Sequence, residues 1–499
     1  MSQGRKWRVE PPLFVPADVV YEHIPKQHFY ERLAKVLDLE FVRELTRPLY
    51  AEKMGRPSLD PVVFFKCMLA GFFENIVYDT ELEYRIADSL TIRKFLGYGL
   101  DERTPDESTL RKTRQRMPEE VFRAVFDHVL SICQARGLVR GRALGMDSTL
   151  VDANASMDSL RHRELGCTYE EYVVALRRQD APEAGREEAA REDKGRHGKV
   201  NNSDWRSTTD PEARVMLHGN GHSHLSYKVD TTVDLETGVI VAAGSERGDL
   251  SDQIDCLQRV DEATAALAAM GLSPEVVVAD KGHHCGENLR GIEERGLVAL
   301  IASPNQKWGA PGYQRDNFVH DLEGDRMICP AGHVMRRVRT REENIRRYQA
   351  QGKKCRECPH FGVCTTRRQG RTIQVSVDEA KVRANRARVH TEEARPLLQI
   401  RRQRGEAPFG YFKQFGGLRR IAGRGLAYAE RKALVAALGW NLLLIVKLLG
   451  GTDGATAWVK DRINALWALI RTMWGRRQAI GLRGPIPQPL VLTPAPNST

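Results

Sequence analysis

Residues Arg142-Ala-Leu-Gly-Met-Asp-Ser-Thr-Leu-Val-Asp152 read as one β-strand, and the class of fold follows from what surrounds it. Its middle residue, Asp147, is a carboxylate among apolar neighbours. Such a group is costly to bury unless it is paired or holds a metal. Further strands are expected at Ser226–Val233 and Gly238–Ala243, joined by the turn Leu235-Glu-Thr-Gly238. An amphipathic helix fits Asp252–Met270, and Glu275-Val-Val-Val-Ala-Asp280 is a short apolar strand ending in a second carboxylate. A helix from Gly286 and a strand over Leu297–Ala302 follow. Strands alternating with helices predict an α/β layer.

The chain has 499 residues with 76 Lys plus Arg against 65 Asp plus Glu, a net charge of +11. At 41% hydrophobic and 28% charged it suits a soluble protein of more than one domain, not a collagen-like, wholly disordered or multi-span membrane chain. The polar, proline-broken start has no apolar signal region, and the apolar run Leu442–Val446 is too short for a bilayer. A cytoplasmic protein is expected. The charge is local: residues 331–450 hold about 27 Lys/Arg and 9 Asp/Glu, roughly +18, leaving about −7 for the remainder. A field of that sign suits a polyanion such as nucleic acid.

Around this centre the chain divides into five parts. Residues 1–135 read as helical. Val62, Phe65, Leu69, Phe72 and Ile76 line one helix face behind the start signal Asp60-Pro61, and a second helix is expected over Glu81–Phe95. A basic helix follows Asp106, with Arg111, Lys112, Arg114 and Arg116, in an arrangement compatible with DNA docking. Residues 136–303 carry the first part of the α/β core, with a charged, flexible insertion at about 162–219. Residues 304–375 are a Cys-rich insertion, and 376–450 a basic helical completion of the core. Residues 451–499 add a terminal helix (Val459 to Met473) and a proline-rich tail.

A third carboxylate, Glu406, stands in the basic run Arg401-Arg-Gln-Arg-Gly-Glu-Ala-Pro-Phe-Gly-Tyr-Phe-Lys413. On a helix it would share a face with Phe409 and Lys413, although Pro408 and two glycines weaken that helix. Each carboxylate alone has a structural explanation. Together they suit a hard divalent cation, which removes the repulsion among them. Two such ions about 4 Å apart activate a water and stabilise the leaving oxygen of a phosphodiester.

Four of the nine cysteines fall in one stretch: Cys329-Pro-Ala-Gly-His333 and Cys355-Arg-Glu-Cys358-Pro-His360-Phe-Gly-Val-Cys364. The spacing of Cys355 and Cys358 lets both thiolates reach one ion, and Cys329 and Cys364 complete a four-thiolate set of the kind Zn²⁺ favours. His333 or His360 is an alternative ligand, and reduced unliganded thiols are the other reading. Arg336, Arg337, Arg339 and Arg341 suit phosphate contacts or plain solvation. His222, His224, His283 and His284 read as polar surface features.

The segments GMDSTLVDANAS, VVADKGHHCGEN and GEAPFGYFKQFGGLRR, in that order, resemble those of bacterial insertion-sequence DDE transposases. The likeness extends to PSLDPVVFFKCMLAGFF, TPDESTLRKTRQRM, DWRSTTDPEARV and LSYKVDTTVDLETGVIVAA, so it spans roughly residues 14–450. The resemblance implies a ribonuclease-H-like catalytic core with Asp147, Asp280 and Glu406 as the triad that binds Mg²⁺ (or Mn²⁺). It implies cleavage at transposon terminal repeats and transfer of the freed 3′-hydroxyl into target DNA. It also implies a homodimer that pairs two ends, in a cytoplasmic, nucleoid-associated setting with no membrane partner. Lys413 matches the family's lysine and is expected on DNA phosphate, with Arg402, Arg404, Arg111, Lys112 and Arg114 as further DNA-binding side chains. His283-His284 replaces a usual aromatic residue, and Ala407 stands where a histidine is frequent. The competing readings are a non-catalytic zinc-containing DNA-binding protein and a nuclease without strand transfer.

Overall fold

The computed structural model describes residues 17–449 apart from 52–57, 184, 196–200, 220, 305–309, 322 and 341. The expected terminal helix and proline-rich tail lie outside the described residues. Among the described residues no helix is long and apolar enough to cross a membrane. The chain is a mixed α/β protein with a helical amino-terminal region and two main sheets.

The larger sheet has six strands. Ala143–Asp152 lies at its centre, antiparallel to Ser223–Asp234 on one side and parallel to Val276–Ala279 on the other. Val298–Ile301 adds in parallel beyond Val276–Ala279. On the far side of Ser223–Asp234, Ile240–Arg247 and Arg214–Leu217 pair antiparallel with successive parts of it. The first of these hairpins closes at Asp234, which accepts hydrogen bonds from the amides of Arg140, Gly141 and Glu236. Gly238 completes the turn at φ 84°, a conformation that only glycine adopts freely. Gly145 is required for a different reason: a Cβ there would stand 2.3 Å from Leu235 Cδ2.

Two long helices cover this sheet. Ala394–Phe415 packs along the Asp147 strand and continues through Pro408, which is buried. Leu426–Leu449 packs on Ile240–Arg247 with Leu434, Leu438, Leu442 and Ile445 buried, residues three or four apart that line one helix face. Asn441 of this helix pairs with both the amide and the carbonyl of Ile240, and Trp440 Nε1 donates to the Gly238 carbonyl.

The amino-terminal helices start where their caps dictate. Asp60 accepts from the Val62 amide and opens Pro61–Phe73. The helix expected over 81–95 is two, Asp79–Asp88 and Leu90–Leu96, because Ser89 leaves helical geometry and caps the second. Asp106 caps Glu107–Arg116. The insertion at 162–219, expected to be flexible, instead forms helices Tyr169–Asp180 and Arg186–Gly195, a short ladder of Leu160–His162 with Trp205–Ser207, and the strand Arg214–Leu217. Thr168 and Glu171 make a reciprocal capping box at its first helix, which overrides the charged composition.

The Cys-rich insertion is a five-stranded antiparallel sheet: Val319–Asp321, Arg326–Ile328, Val334–Val338, Ile345–Gln349 and Thr372–Ser376, neighbours in chain order. Its core is small: Phe318, Met327, Met335, Tyr348, Ala350, Ile373 and Val375. Buried Glu379, on the helix that follows, takes ion pairs from Arg315 and Arg383 and ties this sheet to the rest.

Candidate active site

Register brings the first two carboxylates to the same end of the sheet. Gly145 pairs with Val278 in the parallel ladder, so Asp147, two residues further on, lies beside the point where the chain leaves Val276–Ala279 for Asp280. Asp280 has just left its strand and accepts from the Gly282 amide. Glu406 arrives on the Ala394–Phe415 helix. The preceding residue, Gly405, lies so close to the strand that a Cβ there would be 3.5 Å from Asp147 Oδ2. Asp147 feels the negative charge of both Asp280 and Glu406. The three expected carboxylates are thus neighbours, but among the described residues their oxygens do not close to within 4.8 Å of one another. Glu406 is the exposed member, with Arg402 3.8 Å away across a turn of helix.

Residues not singled out from sequence complete the surroundings. The Arg401 guanidinium is buried, donating through Nε to the Met146 carbonyl at 3.0 Å and pairing with Asp147 Oδ1 at 2.7 Å. Asp252, at the start of a helix, accepts from Ser148 Oγ at 2.8 Å and lies 3.4 Å from Lys228 Nζ. Lys228 is buried and also pairs with Asp255 at 2.8 Å. His283, expected at the surface, is instead buried, with Nδ1 2.9 Å from Asp280 Oδ1. Ligand atoms of Asp252, Asp280 and His283 all lie within 4.8 Å of one another.

The two strand carboxylates are driven in opposite directions. Burial pushes the Asp147 carboxyl up, and Arg401 offsets part of that. Asp280 is held down to about 2, chiefly by the hydrogen bond from His283. Neighbouring acids separated in this way avoid carrying their charges on equal terms. The donors that do converge, Asp252 and Asp280 with His283, could take a divalent cation, and a glycine rather than a side chain stands against Asp147 Oδ2.

The expected DNA-binding side chains divide. Arg111 and Lys112 are exposed, and Arg402 is strongly so. Arg404 is half-buried. Arg114 does not face solvent: it is buried and makes a bidentate pair with Asp79, both bonds 2.7 Å. Its place on the inner face of its helix, against Met68, explains the difference. Lys413 is half-buried and near Asp152. Phe409 turns into the core, so it does not share the exposed face of Glu406. At the end of the Asp147 strand a cleft of about 580 Å³ is lined by residues 152–159, Thr209, His224, Arg420 and Arg424.

In the smaller sheet Cys329, Cys355, Cys358 and Cys364 line one cavity with His333 and His360. Burial raises the Cys364 thiol first, and the other three cysteines add to the rise. Among the described residues these thiols do not close to the 4.8 Å spacing found at Asp280.

Residues 18–116 match a family described as a transposase domain (DUF772), and residues 328–446 match one described as a transposase DDE domain. The second match contains Glu406 and the four clustered cysteines. Both matches are to transposase domains, and together they support an insertion-sequence DDE transposase. No curated protein matches it. Among solved structures, a piggyBac transposase synaptic complex with hairpin DNA is similar at 10% identity, covering 93% of this chain and 85% of that one, with a TM-score of 0.30. Likeness at that level assigns no residue a role.

Proposed function

We propose that Asp147, Asp280 and Glu406 are the catalytic triad of this transposase and hold Mg²⁺ or Mn²⁺ for cleavage of transposon ends and strand transfer into target DNA. The observation that carries the reading is that Asp147 lies on the strand paired in parallel with the one that ends at Asp280, with Gly405 of the Glu406 helix against Asp147. The strand order supports a ribonuclease-H-like core: three antiparallel strands in chain order, then two parallel additions on the other side of the first. On this reading residues 1–135 are a DNA-binding domain, 136–303 and 376–450 form the core, and 304–375 are its insertion.

A bound divalent ion would supply Lewis acidity and lower the pKa of a water. The chain's own groups do the rest. His283 keeps Asp280 ionised by donating to it, and Ser148 and Lys228 hold Asp252 beside that loop. Arg401 fixes Asp147 against the Met146 carbonyl. Lys413, Arg402 and Arg404 line the helix that carries Glu406 and are assigned to DNA phosphate, with Arg111 and Lys112 contacting DNA from the amino-terminal region. Two copies would pair the two ends, in a cytoplasmic, nucleoid-associated setting. The test is cleavage of a DNA end with and without Mg²⁺. Asp147→Ala should abolish cleavage and leave DNA binding, and a pre-cut end should be joined by the unmodified protein. Full cleavage by the variant would refute the triad, and cleavage without joining would make the protein a nuclease.

A further inference from the structure

The loop 351–371 is ordered with almost no apolar burial of its own. Its larger apolar side chains face outward, Phe361 36% and Val363 60% exposed. What it turns inward are thiols: Cys355 and Cys364, with Cys329 from the neighbouring turn, pack against the seven-residue core. A sheet of this size has too little apolar area to order a long polar loop unaided. We propose that Cys329, Cys355, Cys358 and Cys364 form a structural four-thiolate site for Zn²⁺ that closes this loop onto the sheet.

Three observations favour a metal over bare packing. The four cysteines surround a space of about 20 Å³, room for one water-sized body. Cys355 lies in a short helix, Gly352–Arg356, and the other three lie in turns. Cys329 exchanges backbone hydrogen bonds with His333 and Gly332, at 2.9 and 2.8 Å, and Gly332 sits at φ 77°. The Cys358 amide donates to the Cys355 carbonyl at 3.2 Å, and the Cys364 amide to the His360 carbonyl at 2.9 Å. The His360 ring bonds through Nδ1 to the Tyr313 hydroxyl at 2.8 Å, and the histidine variant below separates its role from that of the thiols. Zinc–sulfur bonds of about 2.3 Å require the four sulfurs to draw in around that space. All four are free thiols rather than disulfides, as a metal site needs. The inference is independent of the catalytic triad, which lies on the other sheet.

The experiment is metal analysis of the full chain purified under reducing conditions without chelator, repeated on Cys355→Ser/Cys358→Ser, on His333→Ala/His360→Ala and on Cys67→Ser as a control. One zinc per chain is expected in the unmodified protein, the histidine variant and the control, with near-complete loss in the double-cysteine variant. Reconstitution of the unmodified chain with Co²⁺ should give the visible absorption of a tetrahedral thiolate site. That readout decides the question even if the double-cysteine variant fails to fold. Absence of zinc from the unmodified chain together with no thiolate–cobalt absorption, equal zinc in the double-cysteine variant, or loss of zinc from the histidine variant would each overturn the four-thiolate site.

Discussion

The two sheets solve the problem of order differently. The larger one buries apolar side chains on both faces: every residue of Val276–Ala279 and of 225–235 is buried. Its polar cargo, the carboxylates with Arg401 and Lys228, sits inside a frame that hydrophobic burial already holds. The smaller sheet has a seven-residue core and a long polar loop whose inward groups are sulfurs. Where apolar area is abundant, charges can be placed for chemistry. Where it is scarce, cysteine side chains fill in against the core.

That contrast can be broken at several points. The largest effect should come from Asp147→Ala in the larger sheet. DNA-end cleavage with Mg²⁺ should fall more than about 100-fold, beyond the scale of outer-shell changes at metal sites, while the circular dichroism melt stays cooperative. A variant that cuts normally would mean the frame carries its acids for structure alone.

Lys228→Met tests the buried charges directly. It leaves Asp252 and Asp255 without their cation. Breaking a buried pair from one side costs about 3–5 kcal/mol, to be read by urea unfolding. By contrast Arg337→Gln, whose Asp325 pair in the smaller sheet is half-exposed, should cost less than about 1 kcal/mol. Equal losses would erase the distinction between the two regions.

Glu236 gives an intermediate effect with a definite sign. Burial, and next the Asp234 charge, raise its carboxyl from 4.5 to about 7, and neither oxygen has a hydrogen-bond partner. Between those values the folded protein keeps a proton that the unfolded chain releases. Stability is therefore highest below the lower value, falls as pH climbs toward the upper one, and is level above it. Glu236→Gln should remove that fall and raise stability at pH 8 by up to about 3 kcal/mol. Parallel pH–stability curves for the two proteins would dismiss the assignment.

The smallest effect belongs to Arg402→Gln. With the Arg402 side chain 81% exposed, stability should change by less than about 0.5 kcal/mol. DNA affinity should nevertheless drop, with the salt slope reduced by about one. An unchanged slope would remove Arg402 from the DNA contact.

The three carboxylates were legible because each lies in a short motif whose strand or helix could be read locally. Asp252, Arg401 and Lys228 were not, since long-range packing brings them in, and His283, three residues from Asp280, was read as a surface residue. Lys228 stands between apolar Tyr227 and Val229, and period-two reasoning puts it in solvent. That strand is buried on both faces, so the rule fails. The capping box of Thr168 and Glu171 was a usable local sign of the helix that composition hid. The break at Ser89 was equally local, a serine set to cap Ile92 inside an otherwise helical pattern. Arg114 shows the reverse error: a basic helix reads as a DNA-facing surface, yet one of its arginines points inward to Asp79.

The helix Leu426–Leu449 is made last among the described elements, yet its Asn441 closes the backbone pairing of Ile240 at the sheet's outer hairpin. A chain that ended before Leu426 would leave the amide and carbonyl of Ile240 without the one side chain that satisfies both.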